Sequence, residues 1–183
     1  MTIRSLATSA SLIALYLFGA TAPGFSAETT PVQIAAVQGI APNFIGISNW
    51  FNSPPLDIKS LRGKVVLVDF WTYGCINCVN TLPHVTALHS KYKDRGLVIV
   101  GVHTPEFPFE KSASNVQNAL KRHGITYPVA QDNESKTWNA YSNRYWPAQY
   151  IVDQSGQIVY QHDWEGQYEQ MDNIIKKLLS ANS

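Results

Sequence analysis

The chain has 183 residues, 45% of them hydrophobic, with 14 Lys and Arg against 13 Asp and Glu and only two cysteines. That length supports one domain with its own core, and the near-zero net charge gives no electrostatic reason to expect nucleic acid or an anionic membrane as a partner. Two cysteines are too few to staple a small secreted fold, so a closely spaced pair points to chemistry rather than architecture.

The first residues have the pattern of a targeting segment. Arg4 precedes an apolar, small-residue stretch from Leu6 to Ala22 that contains no acid, as in a secretory signal peptide. The stretch is short for a membrane span, which needs roughly 20 apolar residues. Cleavage after Ala27 leaves Phe25 where a small residue is preferred, so an uncleaved anchor is the alternative; either way the domain is exported. Residues 1–27 are therefore assigned to the signal, 28–40 to a linker and 41–183 to the folded domain.

Residues 41–61 are rich in Pro, Gly, Asn and Ser, with Phe44, Ile45, Trp50 and Phe51 interspersed. This pattern predicts a short hairpin covering one side of the core, with Asp57 or Ser60 capping a helical turn. Arg62-Gly63 turns into an apolar run over 64–71, the pattern of a buried strand. Asp69 is an acid inside that run, where desolvation raises a carboxyl pKa unless the strand end supplies partners.

Gly74 permits a sharp exit, and Cys75-Ile76-Asn77-Cys78 opens a helix reaching about Lys93, with Leu82, Val85, Leu88 and Tyr92 on one face. On its first turn, free backbone N–H groups and the helix dipole favour a thiolate at Cys75. Cys78, one turn further in, is spaced to attack a mixed disulfide on Cys75. No second cysteine pair exists to complete a zinc site of four thiolates. Pro83 is expected to kink the helix, and His84 and His89 to be packed or solvated rather than ligands.

A second strand follows over 97–103, ending in His103-Thr104-Pro105-Glu106-Phe107. Lying parallel to the first, it would bring this loop to the edge where Cys75 sits, since function in open α/β sheets gathers at carboxyl ends. Residues 110–123 predict an amphipathic helix stopped by Gly124, 125–130 a strand and 134–141 a short helix. Tyr145-Trp146-Pro147-Ala148 enters the strand 149–153 through a proline, which indicates an edge or a cis bond. Ser155-Gly156 turns a hairpin into 157–161. Met171, Ile174, Ile175, Leu178 and Leu179 form the core stripe of a last helix.

Several of these segments together resemble the thioredoxin superfamily, in its extracytoplasmic TlpA-like and DipZ-like branch. They are Asn49-Trp50-Phe51-Asn52-Ser53, Phe70-Trp71-Thr72-Tyr73-Gly74-Cys75-Ile76-Asn77-Cys78, Thr81-Leu82-Pro83, His103-Thr104-Pro105-Glu106-Phe107 and Tyr145-Trp146-Pro147-Ala148. The resemblance implies an α/β thioredoxin-like fold, a central mixed sheet flanked by helices with a TlpA-like helix-and-strand insertion. It implies an extracytoplasmic, periplasm-type thiol–disulfide oxidoreductase with no cofactor and no metal. Cys75 would be the nucleophile, Cys78 the resolving thiol of the same redox-active disulfide, and Asp69 the proton carrier for Cys78. Trp146, Pro147 and Trp71 would contact substrate.

TlpA-like reductases often carry an acid three residues after the second cysteine, where this chain has Thr81; Glu106 in the neighbouring loop is the substitute acid/base candidate. The implied partners are protein thiols and disulfides and a CcdA-type membrane electron donor, with the chain itself a monomer. Two other functions remain open. Thr72-Tyr73-Gly74-Cys75 matches the Thr-x-x-Cys part of a peroxiredoxin motif, although Val68 stands at its proline position. Two thiolates with His103 would also suit Cu(I) in a metallochaperone.

Overall fold

A computed structural model describes residues 38–181. The expected signal and most of the expected linker lie outside the described residues. No helix among the described residues is long and apolar enough to cross a membrane.

The organising strand is β3, Val65–Trp71, and all seven of its residues are buried. Strand pleating sends alternate side chains to opposite faces. Val65, Leu67 and Trp71 join one cluster, with Cys78, Leu82, Val85, Leu88 and Tyr92 of the helix α1 (Ile76–Tyr92). Val66, Val68 and Phe70 join the other, beneath Ala41, Phe44, Ile58, Trp138 and Tyr141. Burial on both faces is why this strand is a continuous apolar run rather than an alternating one. Asp69 shares the period of Val65, Leu67 and Trp71, so it faces the α1 side.

Strand β4 (Leu97–His103) runs parallel to β3, with Trp71 opposite His103. Strand β5 (Val129–Gln131) continues the parallel set. On the other flank, β6 (Ala148–Val152) is antiparallel to β3, placing Gln149 opposite Asp69, and β7 (Gln157–Asp163) is antiparallel to β6. With β1 (Gln38–Ile40) and β2 (Asn49–Phe51), the sheet order is β1-β7-β6-β3-β4-β5-β2. This is the mixed, helix-flanked sheet expected, and the parallel β3–β4 pair brings both loops to one edge.

Among the described residues, the hairpin expected within 41–61 does not form. β1 pairs with β7 and β2 with β5, at opposite edges of the sheet, and the chain between them lies across one face. Alternation and turn residues identify strands but not their partners, and both edges had unpaired backbone to satisfy. The sheet therefore begins at Gln38, inside the span expected to be linker. Asp57 does cap a 3₁₀ turn over Ile58–Leu61, accepting from the Lys59 N–H at 2.7 Å.

Helix α2 (Ala113–Arg122) and β5 form the inserted helix-and-strand unit between β4 and β6. The helical span expected from residue 110 divides into a 3₁₀ turn (Pro108–Lys111) and α2, because Ser112 caps a new start. Helix α3 (Lys136–Ala140) supplies buried Trp138, and α4 (Tyr168–Ser180) buries Met171, Ile174 and Ile175, while Leu178 and Leu179 are partly buried. Gly156 closes the β6–β7 hairpin at φ 80°, a left-handed conformation that a side chain would strain.

Candidate active site

Cys75 is the N-cap residue of α1. Its backbone is extended (φ −87°, ψ 114°), its Sγ accepts the Cys78 N–H at 3.3 Å, and its carbonyl accepts the Val79 N–H at 3.1 Å. A thiolate here receives a hydrogen bond that a helix start would otherwise leave unmade, at the positive end of the dipole. The Cys75 pKa is accordingly lowered to about 7, chiefly by the side-chain hydrogen bond with Cys78, against an opposing desolvation. Cys75 is half-buried while Cys78 is 1% exposed, and both are free thiols. Burial, then the bond to Cys75, drives the Cys78 pKa well above the ordinary thiol range. One sulfur is poised as an anion and the other is held protonated.

Asp69 is 1% exposed. Its Oδ1 accepts from Gln149 Nε2 at 2.9 Å, but Oδ2 is buried without a partner. Desolvation raises its pKa to about 6, partly offset by the Gln149 bond. Its charge is one cause of the raised Cys78 pKa, so the two groups interact electrostatically. Gln149 escaped the sequence reading. Its signal was a lone amide in an otherwise apolar strand, and only the β3–β6 register shows what it faces.

The Trp146–Pro147 peptide is cis, and the Pro147 carbonyl accepts the Trp164 N–H at 2.8 Å. The Trp146 indole lies against Trp138 with centroids 4.1 Å apart, and its Nε1 donates to the Thr104 carbonyl at 3.0 Å. That bond ties the loop after β4 to the one before β6. Trp71, expected to meet substrate, is 0% exposed and packs edge-on to His103. Its position on β3 turns it into the core, so it belongs to the scaffold.

Glu106 is exposed, and its charge counts among the influences that raise the Cys75 pKa. It is thus within electrostatic reach of the nucleophile. Thr81 is buried with its hydroxyl donating to the Asn77 carbonyl at 3.0 Å, so α1 itself offers no acid at that point. Glu110, which sequence reading treated only as the start of a helix, proves fully buried beside the cysteine loop.

His103 does not join the cysteines. It is buried, stacked on Tyr73, and its Nε2 lies 3.3 Å from Thr72 Oγ1; desolvation lowers its pKa to about 4. His84 stacks on Tyr168 and His89 meets the edge of Tyr127, so both are packing residues. Among the described residues no group of three or more His, Cys, Asp and Glu side chains is arranged to hold a metal ion. The copper reading therefore lacks its third ligand.

A helix-capping cysteine, a buried second cysteine one turn on, a buried acid on the strand before them and a cis-proline entering β6 define a thioredoxin-like protein. The solved structure titled as a thioredoxin-like protein in the oxidised form agrees, at 26% identity and a TM-score of 0.71, covering 79% of this chain and 97% of that one. Residues 37–161 match the AhpC/TSA family, and the chain belongs to it. It is 48% identical over 145 residues to Protein DipZ of Mycobacterium bovis, a match covering 78% of this chain and 21% of that protein. The chain thus spans about a fifth of the length of that relative. It is also 29% identical over 155 residues to the thiol-disulfide oxidoreductase ResA of Bacillus anthracis, covering 85% of this chain and 84% of that one.

Proposed function

We propose that the protein is an extracytoplasmic thiol–disulfide oxidoreductase that reduces disulfides in other proteins through Cys75 and Cys78. The observation that carries this reading is the division of labour between the two sulfurs, one half-buried on a helix N-terminus with a pKa near 7 and one buried and held as a thiol. The thiolate, not the thiol, is the nucleophile in disulfide exchange.

In the forward direction the Cys75 thiolate attacks one sulfur of a substrate disulfide. That bond breaks, and the displaced substrate sulfur takes a proton from water. The Cys78 thiol then yields its proton to the Asp69 carboxylate, and its sulfur attacks Cys75 in the mixed disulfide. The second substrate sulfur leaves and is protonated in turn, with Asp69 returning its proton to solvent. Substrate gains two electrons and two protons, and Cys75–Cys78 remains as a disulfide for a donor dithiol to reduce. The backbone at Trp146–Pro147 takes the extended substrate chain as an added strand.

The reducing direction is supported by the Cys75 pKa, which matches the value of about 7 for thioredoxin rather than about 3.5 for the strong oxidant DsbA. A CcdA-type membrane electron donor is the proposed partner, export through the N-terminal segment the proposed route, and a monomer the proposed state. The test is trapping: Cys78→Ser should accumulate a mixed disulfide with a disulfide-bearing protein substrate, and Cys75→Ser should not. Capture by neither variant would reject the mechanism.

A second reading, a thiol peroxidase, has the AhpC/TSA membership and the Thr-x-x-Cys run in its favour. Against it, the Thr72 hydroxyl is paired with His103 and Val68, at the motif's proline position, is buried in β3. Cys75-dependent consumption of hydrogen peroxide would establish it.

A further inference from the structure

Glu110 is 0% exposed, and its carboxylate accepts three backbone N–H groups. Oε1 takes that of Gly74 at 2.8 Å, and Oε2 takes those of Glu106 at 2.7 Å and Phe107 at 2.9 Å. The Glu110 N–H returns a bond to the Phe107 carbonyl at 3.0 Å. One side chain therefore joins the loop after β3, which carries the nucleophile, to the loop after β4, which carries the nearby charge of Glu106. A buried carboxylate is costly unless hydrogen-bonded, and here three charge-assisted bonds meet that requirement.

The contact is close enough to dictate sequence. A Cβ at Gly74 would collide with Glu110 Oε1 and lie 3.3 Å from its Cδ. Gly74 is the residue immediately before Cys75, so this clamp fixes the peptide from which the N-cap thiol projects. Its other arm fixes the backbone of Glu106, whose carboxylate opposes the Cys75 thiolate. Tyr73, in the same loop, is tied to the same segment through its hydroxyl on the Phe109 carbonyl at 2.9 Å.

We propose that Glu110 is a positioning residue of the redox site, holding the Tyr73–Gly74 peptide so that Cys75 keeps its place at the start of α1. This inference rests on the reading of Cys75 as nucleophile. Glu110 acts through the backbone and touches no reacting atom. Without it the Gly74 N–H loses its acceptor, the loop relaxes, and Cys75 Sγ loses alignment with the α1 N–H groups that stabilise its thiolate.

The experiment follows Cys75 ionisation by thiolate absorbance and by alkylation rate against pH, in the reduced full chain and in Glu110→Ala, Glu110→Gln and Glu106→Gln. Thermal unfolding of each is recorded in parallel. Glu110→Ala should raise the Cys75 pKa by about one unit toward the free-thiol value near 8.5. Glu110→Gln keeps a single carbonyl acceptor and should shift it in the same direction by less.

Glu106→Gln removes an equal charge four residues away but no clamp, and should lower the pKa. The two Gln variants thus move the thiol in opposite directions. Gly74→Ala, which drives a Cβ into the clamp, should reproduce the upward shift and decides the matter if Glu110→Ala does not fold. An unchanged or lowered Cys75 pKa in folded Glu110→Gln and Gly74→Ala overturns the inference. If wild-type Cys75 forms no mixed disulfide, the functional reading fails independently of the clamp.

Discussion

Replacing Asp69 by Asn tests the chemistry and the energetics of the site together. The folded-state pKa of Asp69 is about 6 against an ordinary value of 3.8. Each pKa unit corresponds to about 1.4 kcal/mol, so ionised Asp69 costs the fold about 3 kcal/mol. Because the folded pKa is raised, the native state holds the proton more tightly than the unfolded chain between about pH 4 and pH 6. Stability from this group is therefore full below pH 4, falls as pH rises through 6, and stays at its low value above that. Asn keeps an acceptor for Gln149 Nε2 and removes the titration.

In urea unfolding of the reduced protein, Asp69→Asn should exceed wild type by about 3 kcal/mol at pH 7 to 8. The advantage should shrink toward zero as pH falls to 4. The same variant should slow attack of Cys78 on the mixed disulfide by about 100-fold, the low end for loss of a general base. A more stable protein that resolves the mixed disulfide slowly is the expected signature. A stability difference that does not change with pH, or a loss of stability at pH 8, would refute the assignment of a desolvated buried carboxyl.

Gln149→Leu removes the one hydrogen bond to Asp69 and should raise the Asp69 pKa above 6, moving the pH dependence of resolution upward in stopped-flow measurements. Leu82→Ala deletes a side chain 1% exposed between α1 and the sheet and should cost about 2–5 kcal/mol by denaturant unfolding, with little effect on the Cys75 pKa. Gly156→Ala forces a side chain into φ 80° against the Arg62 guanidinium and should lower stability by about 1–3 kcal/mol while leaving disulfide exchange unchanged.

The two-sided burial of β3 and the helical stripe of α4 were legible because each element's periodicity is written in consecutive residues, so the layer order followed. The cysteine site was legible for the same reason, since strand, Gly74 and capping cysteine are contiguous. Pairing between distant segments was not. β1 and β2 are three-residue strands whose partners, β7 and β5, lie far along the chain, and no local pattern says that they flank opposite edges.

The same limit hid Gln149 and Glu110, each of which acts through a contact made only by the sheet register or by two loops meeting. Trp71 misled for a different reason. The family resemblance implied substrate contact, while strand pleating turns it inward onto His103.

On the proposed function, Cys75 and Cys78 form a reversible, reducing couple. The most direct test is the midpoint potential of the pair, obtained by equilibration against glutathione and dithiothreitol buffers with thiol trapping. A helix-capping thiol with a pKa near 7 predicts a value toward the thioredoxin end, about −270 mV. A value near that of DsbA, about −120 mV, would contradict the reducing direction, and a pair that cannot be cycled at all would contradict the redox function itself.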